Sequence, residues 1–456
     1  MACNYQGKLD DSRALSDRLT AAGLSRSAAR AKARLFASAA AALPVGNTAD
    51  RRAFFVPGRV EVLGKHTDYA GGRSMVAAVE RGFCIVAAPR DDALITVVDA
   101  DARQRISFAL HPPPTPRAGH WSNYPMTVAR RVAVNFPEAR RGADVVLAGD
   151  LPPAAGMSSS SSLIVAVFLV LADANQLPAQ RRYRDHVGST TDLAGYLGAV
   201  ENGRSFGSLE GDCGVGTFGG SEDHTAILCA EPNHVSQYTY CPVRFDRSMR
   251  VPSGHTFAIG SSGVVAEKTG AARQQYNRAS RMAVAVAQLW CRATGRDDPH
   301  LAAAFASSPD AVDRLREIVA RAEGGEFAPA ALSDRLEHFV VENEQIIPAA
   351  GDALDKEDLG EFGRLVDASQ QAAEQLLGNQ VPETVYLAAS ARERGAVAAS
   401  AFGAGFGGSV WAMVETSRAE TFLTGWAKAY RNRFPQHAPS SQFFLTGAGP
   451  AAFQLR

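Results

Sequence analysis

Residues 57–72 read PGRVEVLGKHTDYAGG, and they follow a short apolar run at 54–56. Apolar residues on both sides of a Pro-Gly pair predict a strand, a turn and a second strand over 54–64. Similar apolar runs, bounded by turn-forming residues, predict strands over 82–89, 93–99 and 143–148. The stretch is therefore expected to open a β-rich region.

Helical patterns lie on both sides of this region. Residues 8–43 are rich in Ala, Leu, Arg and Lys at helical spacing, which predicts an N-terminal helical cap over 1–50. Helical stretches dominate again from 270 to 397. We predict an α+β protein with two lobes and a cleft between them, made of an N-terminal domain over 51–250 and a C-terminal domain over 251–456.

The composition is that of an ordinary globular chain, with 46% hydrophobic and 21% charged residues among 456. Lys and Arg number 47 and so do Asp and Glu, so there is no electrostatic reason to expect nucleic acid or an anionic membrane as partner. Six scattered cysteines without metal-binding spacing indicate a reducing compartment. The N-terminus does not resemble a secretory signal, and the apolar run at 163–172 is too short to span a bilayer. A cytoplasmic protein is expected.

Five consecutive serines at 158–162 follow a predicted strand and precede an apolar, helix-like segment. A helix N-terminus carries unpaired N–H groups and a partial positive charge, so it attracts phosphate, and serine hydroxyls suit Mg²⁺. An N-capping serine in a flexible turn is the alternative. The Gly-Lys-Ser/Thr ending of a Walker A loop is missing. A second cluster, GAGFGG at 403–408, is by itself equally typical of a tight hairpin.

The stretch 57–72 closely resembles the galactokinase signature PGRVNxIGEHTDYNGG. The serine loop, with Asp-Leu-Pro at 150–152, resembles the second motif of the GHMP kinase family, and 403–408 resembles the third. WSNY at 121–124 and YNR at 276–278 resemble shorter galactokinase segments near the nucleotide and the sugar. The motifs keep the family's order, and the resemblance covers about residues 50–415.

The resemblance implies the two-lobed GHMP kinase fold, with an N-lobe like ribosomal protein S5 domain 2 and a ferredoxin-like C-lobe. It implies an ATP-dependent sugar kinase that transfers the γ-phosphoryl group of MgATP to a sugar hydroxyl, most typically the anomeric C1 hydroxyl. The expected partners are a small-molecule sugar and MgATP, and the expected state is a monomer or weak homodimer. A non-catalytic sugar- and ATP-binding regulator is the main alternative. The HTDYxGG segment argues against a mevalonate or homoserine kinase.

Roles follow from the resemblance, residue by residue. Arg59 would stabilise the transferring phosphoryl group and keep a nearby aspartate ionised. Asp223, in GGSEDH at 219–224, is the candidate base, with Glu222 as the alternative. The predicted substrate-binding residues are Lys65, His66, Asp68, Gly220 and Tyr276. The predicted ATP-binding residues are Trp121, Gly156, Met157, Ser158, Ser159, Ser160 and Gly405. Ser160 and Glu201 are the predicted Mg²⁺ ligands, although Glu201 could also be a solvated helix charge.

Lys65 departs from the signature, because galactokinases carry a glutamate at this position. An ammonium donates where a carboxylate accepts, so the change would favour an anionic or acceptor-only group on the sugar. Galacturonate is one hypothesis, and arabinose, a deoxy sugar or a heptose remain open. Lys65 could instead point to solvent or pair with Glu61.

Overall fold

The computed structural model describes residues 9, 11–44, 51–116, 119–152, 155–264 and 270–455. The strands are β1 (Arg52–Leu63), β2 (Arg73–Pro89), β3 (Leu94–Asp99), β4 (Gln104–Ala109), β5 (Ala143–Gly149), β6 (His234–Thr239), β7 (Arg244–Arg250), β8 (His255–Ser261), β9 (Ala398–Phe402), β10 (Ser409–Glu415), β11 (Gln442–Thr446) and β12 (Phe453–Leu455).

The helices surround these strands, and within the described ranges none of them is both long and apolar enough to cross a membrane. They are α1 (Ser12–Ala21), α2 (Arg26–Ala42), α3 (Asn123–Asn135), α4 (Ser159–Ala174), α5 (Arg181–Arg184), α6 (Thr190–Asn202), α7 (Glu222–Cys229), α8 (Gly270–Thr294), α9 (Leu301–Phe305), α10 (Ala311–Ala320), α11 (Pro329–Val340), α12 (Ile347–Asp355), α13 (Leu359–Ala372), α14 (Pro382–Glu393) and α15 (Ala419–Arg433).

Eight strands form the large sheet of the N-lobe, in the order β12-β1-β2-β5-β3-β4, with β6 beside β2 and β7 beside β6. Its pairings are antiparallel except for β3 with β5. One face packs against α1 and α2 through an apolar cluster that includes Phe36, Phe55 and Val146. The opposite face packs against α3, α4 and α6. The predicted N-terminal cap is thus two helices that cover one face of the sheet.

The predicted strand, turn and strand over 54–64 are wrong, because β1 runs through the Pro-Gly pair without turning. The pairing of β1 with β2 shifts between Pro57 and Arg59 and again between Glu61 and Leu63. Such irregularities let a strand absorb a proline and redirect its side chains. Gly82 on β2 makes the register shift between Pro57 and Arg59 possible, because a Cβ at position 82 would lie 2.4 Å from the Val56 carbonyl oxygen.

The C-lobe contains a four-stranded antiparallel sheet in the order β11-β8-β10-β9. Helices α14 and α15 pack against one face of this sheet. On its other face, a single apolar cluster joins α12 and α13 to β1 and β2 of the N-lobe. The two-lobed α+β fold predicted from the sequence is confirmed. The predicted boundaries at 50 and 250 stay predictions, and β12, near the end of the chain, returns to the large sheet.

Candidate active site

A cavity opens between the lobes. Its walls come from β1, from the turn after β1, from the start of α7, from α8 and from the loop between β9 and β10. The polar side chains at its centre are Arg59, Glu61, His66, Asp68, Glu222 and Asp223. Acidic groups dominate this lining.

Arg59 and Asp223 form a hydrogen-bonded ion pair in the cavity wall. Arg59 Nε donates to Asp223 Oδ1 over 2.8 Å, a second guanidinium nitrogen lies 2.6 Å from the same oxygen, and the third donates to the Gly156 carbonyl oxygen. Burial opposes the guanidinium charge, but Asp223, Glu222 and Glu61 outweigh it and raise the pKa of Arg59. The structure therefore brings together the predicted catalytic pair and fixes it beside the serine loop.

Ser161 contacts both Asp223 and Glu201. The Ser161 hydroxyl is 2.8 Å from Glu201 Oε2 and 3.2 Å from Asp223 Oδ2. His224 Nε2 lies 3.2 Å from the same Glu201 oxygen. Glu201 is buried, so its reading as a solvated helix charge is wrong. Ser161, on the first turn of α4, contacts Glu201 directly, and the joint binding of Mg²⁺ by Ser160 and Glu201 stays a prediction.

The serine loop has the geometry of a helix N-terminus beside a glycine turn. Helix α4 begins at Ser159, and Ser158 before it adopts a left-handed conformation with φ 58°. The Ser158 hydroxyl is buried and has no hydrogen-bond partner among the described residues. Ser162 instead holds the loop in place by donating to the Pro57 carbonyl oxygen over 2.7 Å. Free donors at the start of a 16-residue helix suit a phosphate group.

The third motif packs directly against the serine loop. Ser409 Oγ donates to the Ala155 carbonyl oxygen over 2.6 Å, and a Cβ on Gly403 would lie 2.9 Å from the Gly156 oxygen. Gly405 has φ +81°, and a Cβ there would lie 2.4 Å from the Asn379 oxygen. Trp121 stands outside this contact, half-buried against the core near α3. The ATP roles of Trp121, Met157, Ser159 and Gly405 remain predictions.

His66 and Asp68 line the cavity from the turn that follows β1. His66 Nδ1 is 2.9 Å from the Tyr69 hydroxyl, and its Nε2 is 3.1 Å from the Ala404 carbonyl oxygen. Its ring also packs on Tyr276 at 5.1 Å between centroids. Asp68 accepts from the backbone N–H of Tyr69 (2.8 Å) and of Glu222 (3.2 Å). These contacts hold both side chains rigidly at the cavity wall.

Lys65 does not reach the cavity, so the structure contradicts its prediction as a substrate-binding residue. Its side chain is 1% exposed, which also excludes the solvent reading. The ammonium donates to Ser400 Oγ on β9 (2.8 Å) and to Ser369 Oγ on α13 (3.2 Å), and Ser369 donates onward to Glu342. The irregular end of β1 turns Lys65 towards the C-lobe, where it connects the two lobes.

Glu61 and Glu222 are the site residues that the sequence analysis did not assign to the substrate. Both are buried, at 4% and 5% exposure, and their carboxyl groups hydrogen-bond to each other. Burial raises the pKa of Glu61 to about 7 against the opposing charges of Arg59 and Lys65. Burial likewise raises the pKa of Glu222. The sequence did contain a signal for Glu61, because the galactokinase signature carries asparagine at this position.

The raised pKa of Glu61 predicts a pH-dependent loss of stability. Below about pH 4.5 the group is neutral in both the folded and the unfolded state. As the pH rises towards 7, Glu61 ionises freely only in the unfolded state. The free energy of unfolding therefore falls by about 3 kcal/mol because of this group. Glu61→Gln should remove most of that loss. Urea unfolding at pH 5 and pH 8 measures it, and an equal pH effect in both proteins would contradict the prediction.

Position 220 requires glycine because its Cα lies too close to Asp68 for a side chain. A Cβ at this position would lie 2.3 Å from Asp68 Oδ2 and 2.9 Å from the Tyr69 backbone nitrogen. Gly220→Ala should therefore displace the Asp68 carboxylate and raise the KM for sugar about tenfold or more, with the KM for ATP little changed. Gly425→Ala is the matched control, because a Cβ there meets nothing within 4 Å. Equal kinetics for both variants would refute the contact.

Comparison with known proteins agrees with this geometry. Residues 45–89 match the galactokinase galactose-binding signature, 123–201 the GHMP kinases N terminal domain, and 352–432 the GHMP kinases C terminal model. A curated galactokinase of Roseiflexus sp. (strain RS-1) is 28% identical, over 82% of this chain and 86% of the relative. One of Exiguobacterium sibiricum is 29% identical, over 88% and 93%.

Solved structures give the same result for the fold. The Lactococcus lactis galactokinase complexed with galactose aligns with a TM-score of 0.72 and 22% identity, covering 90% of this chain and 96% of that one. This likeness confirms the predicted two-lobed GHMP kinase fold. The matched regions include the stretch 57–72, which lines the cavity described above, and the serine loop, whose Gly156 carbonyl oxygen accepts from Arg59. The chain therefore carries the galactokinase signature and both GHMP kinase domain regions, and it is similar to galactokinases over most of its length.

Proposed function

We propose that this sugar kinase transfers the γ-phosphoryl group of ATP to the anomeric C1 hydroxyl of galactose or a closely related neutral sugar. The products are a sugar 1-phosphate and ADP. The observation that carries the proposal is the Arg59–Asp223 ion pair, which lies in the cavity wall and is tied to the serine loop through Gly156. A phosphate held at the loop and a sugar held at Asp68 would meet at this pair.

Each group has a defined task in the transfer. The sugar oxygen forms a bond to the γ-phosphorus while the bond from that phosphorus to the β–γ bridging oxygen breaks, and ADP leaves. Asp223 accepts the proton of the attacking hydroxyl. Arg59 keeps the Asp223 carboxylate ionised and stabilises charge on the transferring phosphoryl oxygens. The serine loop positions the phosphate chain with its backbone N–H groups.

Mg²⁺ is the cation that the donor set fits. Glu201 and the serine hydroxyls on the first turn of α4 present oxygen ligands, which a hard cation prefers. Among the described residues no cluster of three His, Cys, Asp or Glu side chains forms a metal site on its own. We therefore propose that Ser160 or Ser161, together with Glu201, holds Mg²⁺ jointly with the ATP phosphates, and that the ion neutralises charge between them.

The environment of Lys65 bears on the choice of sugar. Its ammonium is occupied by two serines away from the cavity, so it offers no partner to a hexuronate. The Asp68 carboxylate in the lining would repel such an anion. We therefore favour neutral galactose over galacturonate, with arabinose as the next candidate. We further propose a cytoplasmic protein that acts as a monomer or weak homodimer.

ADP release from MgATP tests the proposal against galactose, arabinose, fucose, a heptose and galacturonate. We expect turnover with at least one neutral sugar and the weakest activity with galacturonate. Phosphorus NMR of the product distinguishes a 1-phosphate from other esters. Saturable binding of sugar and ATP without turnover of any sugar would instead support a non-catalytic regulator.

A further inference from the structure

Two buried carboxyl groups in the cavity have no task in phosphoryl transfer as described above. Glu61 projects from β1, two residues beyond Arg59, and Glu222 is the first residue of α7. Their side chains hydrogen-bond to each other, and both line the cavity. A pair of acids beside a sugar site requires a reason, because burying carboxyl groups without good partners is unfavourable.

One oxygen of this pair is left without a partner. Glu61 is 4% exposed, and its Oε1 atom has no hydrogen-bond partner among the described residues. Buried polar atoms in proteins are nearly always hydrogen-bonded, so an unpaired carboxylate oxygen in a cavity wall indicates a ligand group. The pKa of Glu61, raised by burial to about 7, agrees with a carboxylate that lacks sufficient donors.

Neither nearby cation can supply the missing donor. Arg59 directs its three guanidinium nitrogens at Asp223 and the Gly156 carbonyl oxygen. Lys65 directs its ammonium at Ser369 and Ser400. The donor for Glu61 Oε1 must therefore come from what enters the cavity.

We infer that Glu61 Oε1 accepts a hydrogen bond from one particular hydroxyl of the sugar, other than the hydroxyl that is phosphorylated, and that Glu61 is thereby a specificity-determining residue. The inference rests on the proposed function and deepens it. A carboxylate only accepts hydrogen bonds, so the site selects an O–H or N–H donor and rejects a carboxylate or a missing group. A deoxy sugar would leave the buried oxygen unpaired, which is where large discrimination arises.

Glu222 acts through Glu61 as a positioning residue. Its carboxyl group interacts with that of Glu61, and its backbone N–H donates to Asp68 Oδ2 over 3.2 Å. The pair therefore keeps a fixed position relative to Asp68, which the family resemblance predicts to bind the sugar. Removing the Glu222 carboxyl group should loosen the orientation of Glu61 and weaken its selectivity without removing the acceptor.

The test is a matrix of proteins against sugars. The proteins are the native chain, Glu61→Gln, Glu61→Ala and Glu222→Gln, with Glu415→Gln as control at the exposed end of β10. The sugars are the best substrate, each of its monodeoxy analogues, and the amino-deoxy analogue of whichever carbon matters. For each combination kcat/KM is measured from ADP release and the dissociation constant from calorimetry, and thermal melting checks folding.

In the native protein and in Glu415→Gln, one deoxy analogue should lose about tenfold or more in kcat/KM, and its amino-deoxy counterpart should restore binding. In Glu61→Ala the parent and that deoxy analogue should react alike. Glu61→Gln keeps an acceptor oxygen, and Glu222→Gln keeps Glu61 itself. In both variants the loss in kcat/KM for the deoxy analogue should be smaller than in the native protein and larger than in Glu61→Ala. A uniform loss across all sugars in the Glu61 variants would overturn the inference, and so would an amino-deoxy analogue that binds as weakly as the deoxy one.

The outcomes separate this inference from the function on which it rests. If the protein phosphorylates a sugar and the Glu61 variants keep the same sugar preference, the proposed kinase function stands and the specificity role of Glu61 is refuted. Sugar binding without turnover removes the proposed reaction, while calorimetry still decides the Glu61 contact. A native chain that neither binds nor phosphorylates any sugar removes both.

Discussion

Asp223→Asn is expected to lower kcat for sugar phosphorylation by about 10²–10⁴-fold, the range in which a positioned general base contributes. Asparagine keeps the shape and the oxygen that accepts from Arg59 Nε at 2.8 Å, but it cannot take up the sugar proton. The KM values for sugar and ATP should change far less than kcat, because the cavity walls stay in place. Steady-state ADP release with the best sugar measures both constants.

Asp173→Asn is a matched control, because Asp173 is also paired with an arginine in the N-lobe and does not line the cavity. Arg52 Nε lies 2.9 Å from its Oδ2 atom. This variant should keep the native kcat. A variant at Asp223 that retains more than a tenth of the native kcat would contradict the assignment of the base.

Glu222 is the alternative base that the sequence left open, and the structure distinguishes it from Asp223. Burial raises the pKa of Glu222 well above its usual range, and the nearby carboxylates of Glu61 and Asp68 add to the rise. The raised pKa favours the protonated form of Glu222, which makes Glu222 the poorer candidate for the proton acceptor. Asp223 is more exposed, at 17%, and carries the close contact with Arg59. The two residues are neighbours in sequence but face different electrostatic surroundings.

The sequence predicted best what local pattern and spacing control. The apolar run at 163–172 became the buried core of α4, and the GAGFGG cluster became the connection between β9 and β10. The resemblance over 57–72 brought Arg59 and Asp68 correctly to the cavity. These predictions succeeded because a motif carries its backbone geometry with it, together with the contacts inside the motif.

The predictions that failed depend on contacts between distant parts of the chain. Lys65 lies outside the cavity lining because Ser369 and Ser400, some 300 positions later, bind its ammonium. Residues 54–64 form one strand because Gly82 on the neighbouring strand makes room for the backbone at Val56. None of these partners can be read from the sequence around the residue itself.

Arg59 should show an even larger effect than Asp223, because it serves both the reaction and the electrostatics of the cavity. An arginine that neutralises charge in phosphoryl transfer contributes about 10³–10⁵-fold to kcat, and Arg59→Ala is expected to lose that much. The same change removes the arginine whose charge interacts with the buried carboxyl groups of Glu222 and Glu61 and with Asp223. The free energy of unfolding should therefore also fall, by about 3 kcal/mol or more.

Arg59→Lys separates the two roles. Lysine keeps the positive charge, so most of the stability should return, but it lacks the planar fork that joins Asp223 to the Gly156 carbonyl oxygen. Its kcat should stay at least about tenfold below the native value. Arg52→Lys is the matched control, and it should change neither kcat nor stability appreciably. The double variant Arg59→Lys with Asp223→Asn should lose much less than the product of the single losses, since the two residues act as a unit. A fully multiplicative loss would mean that Arg59 and Asp223 act independently, and the ion pair would then be structural rather than part of the transfer.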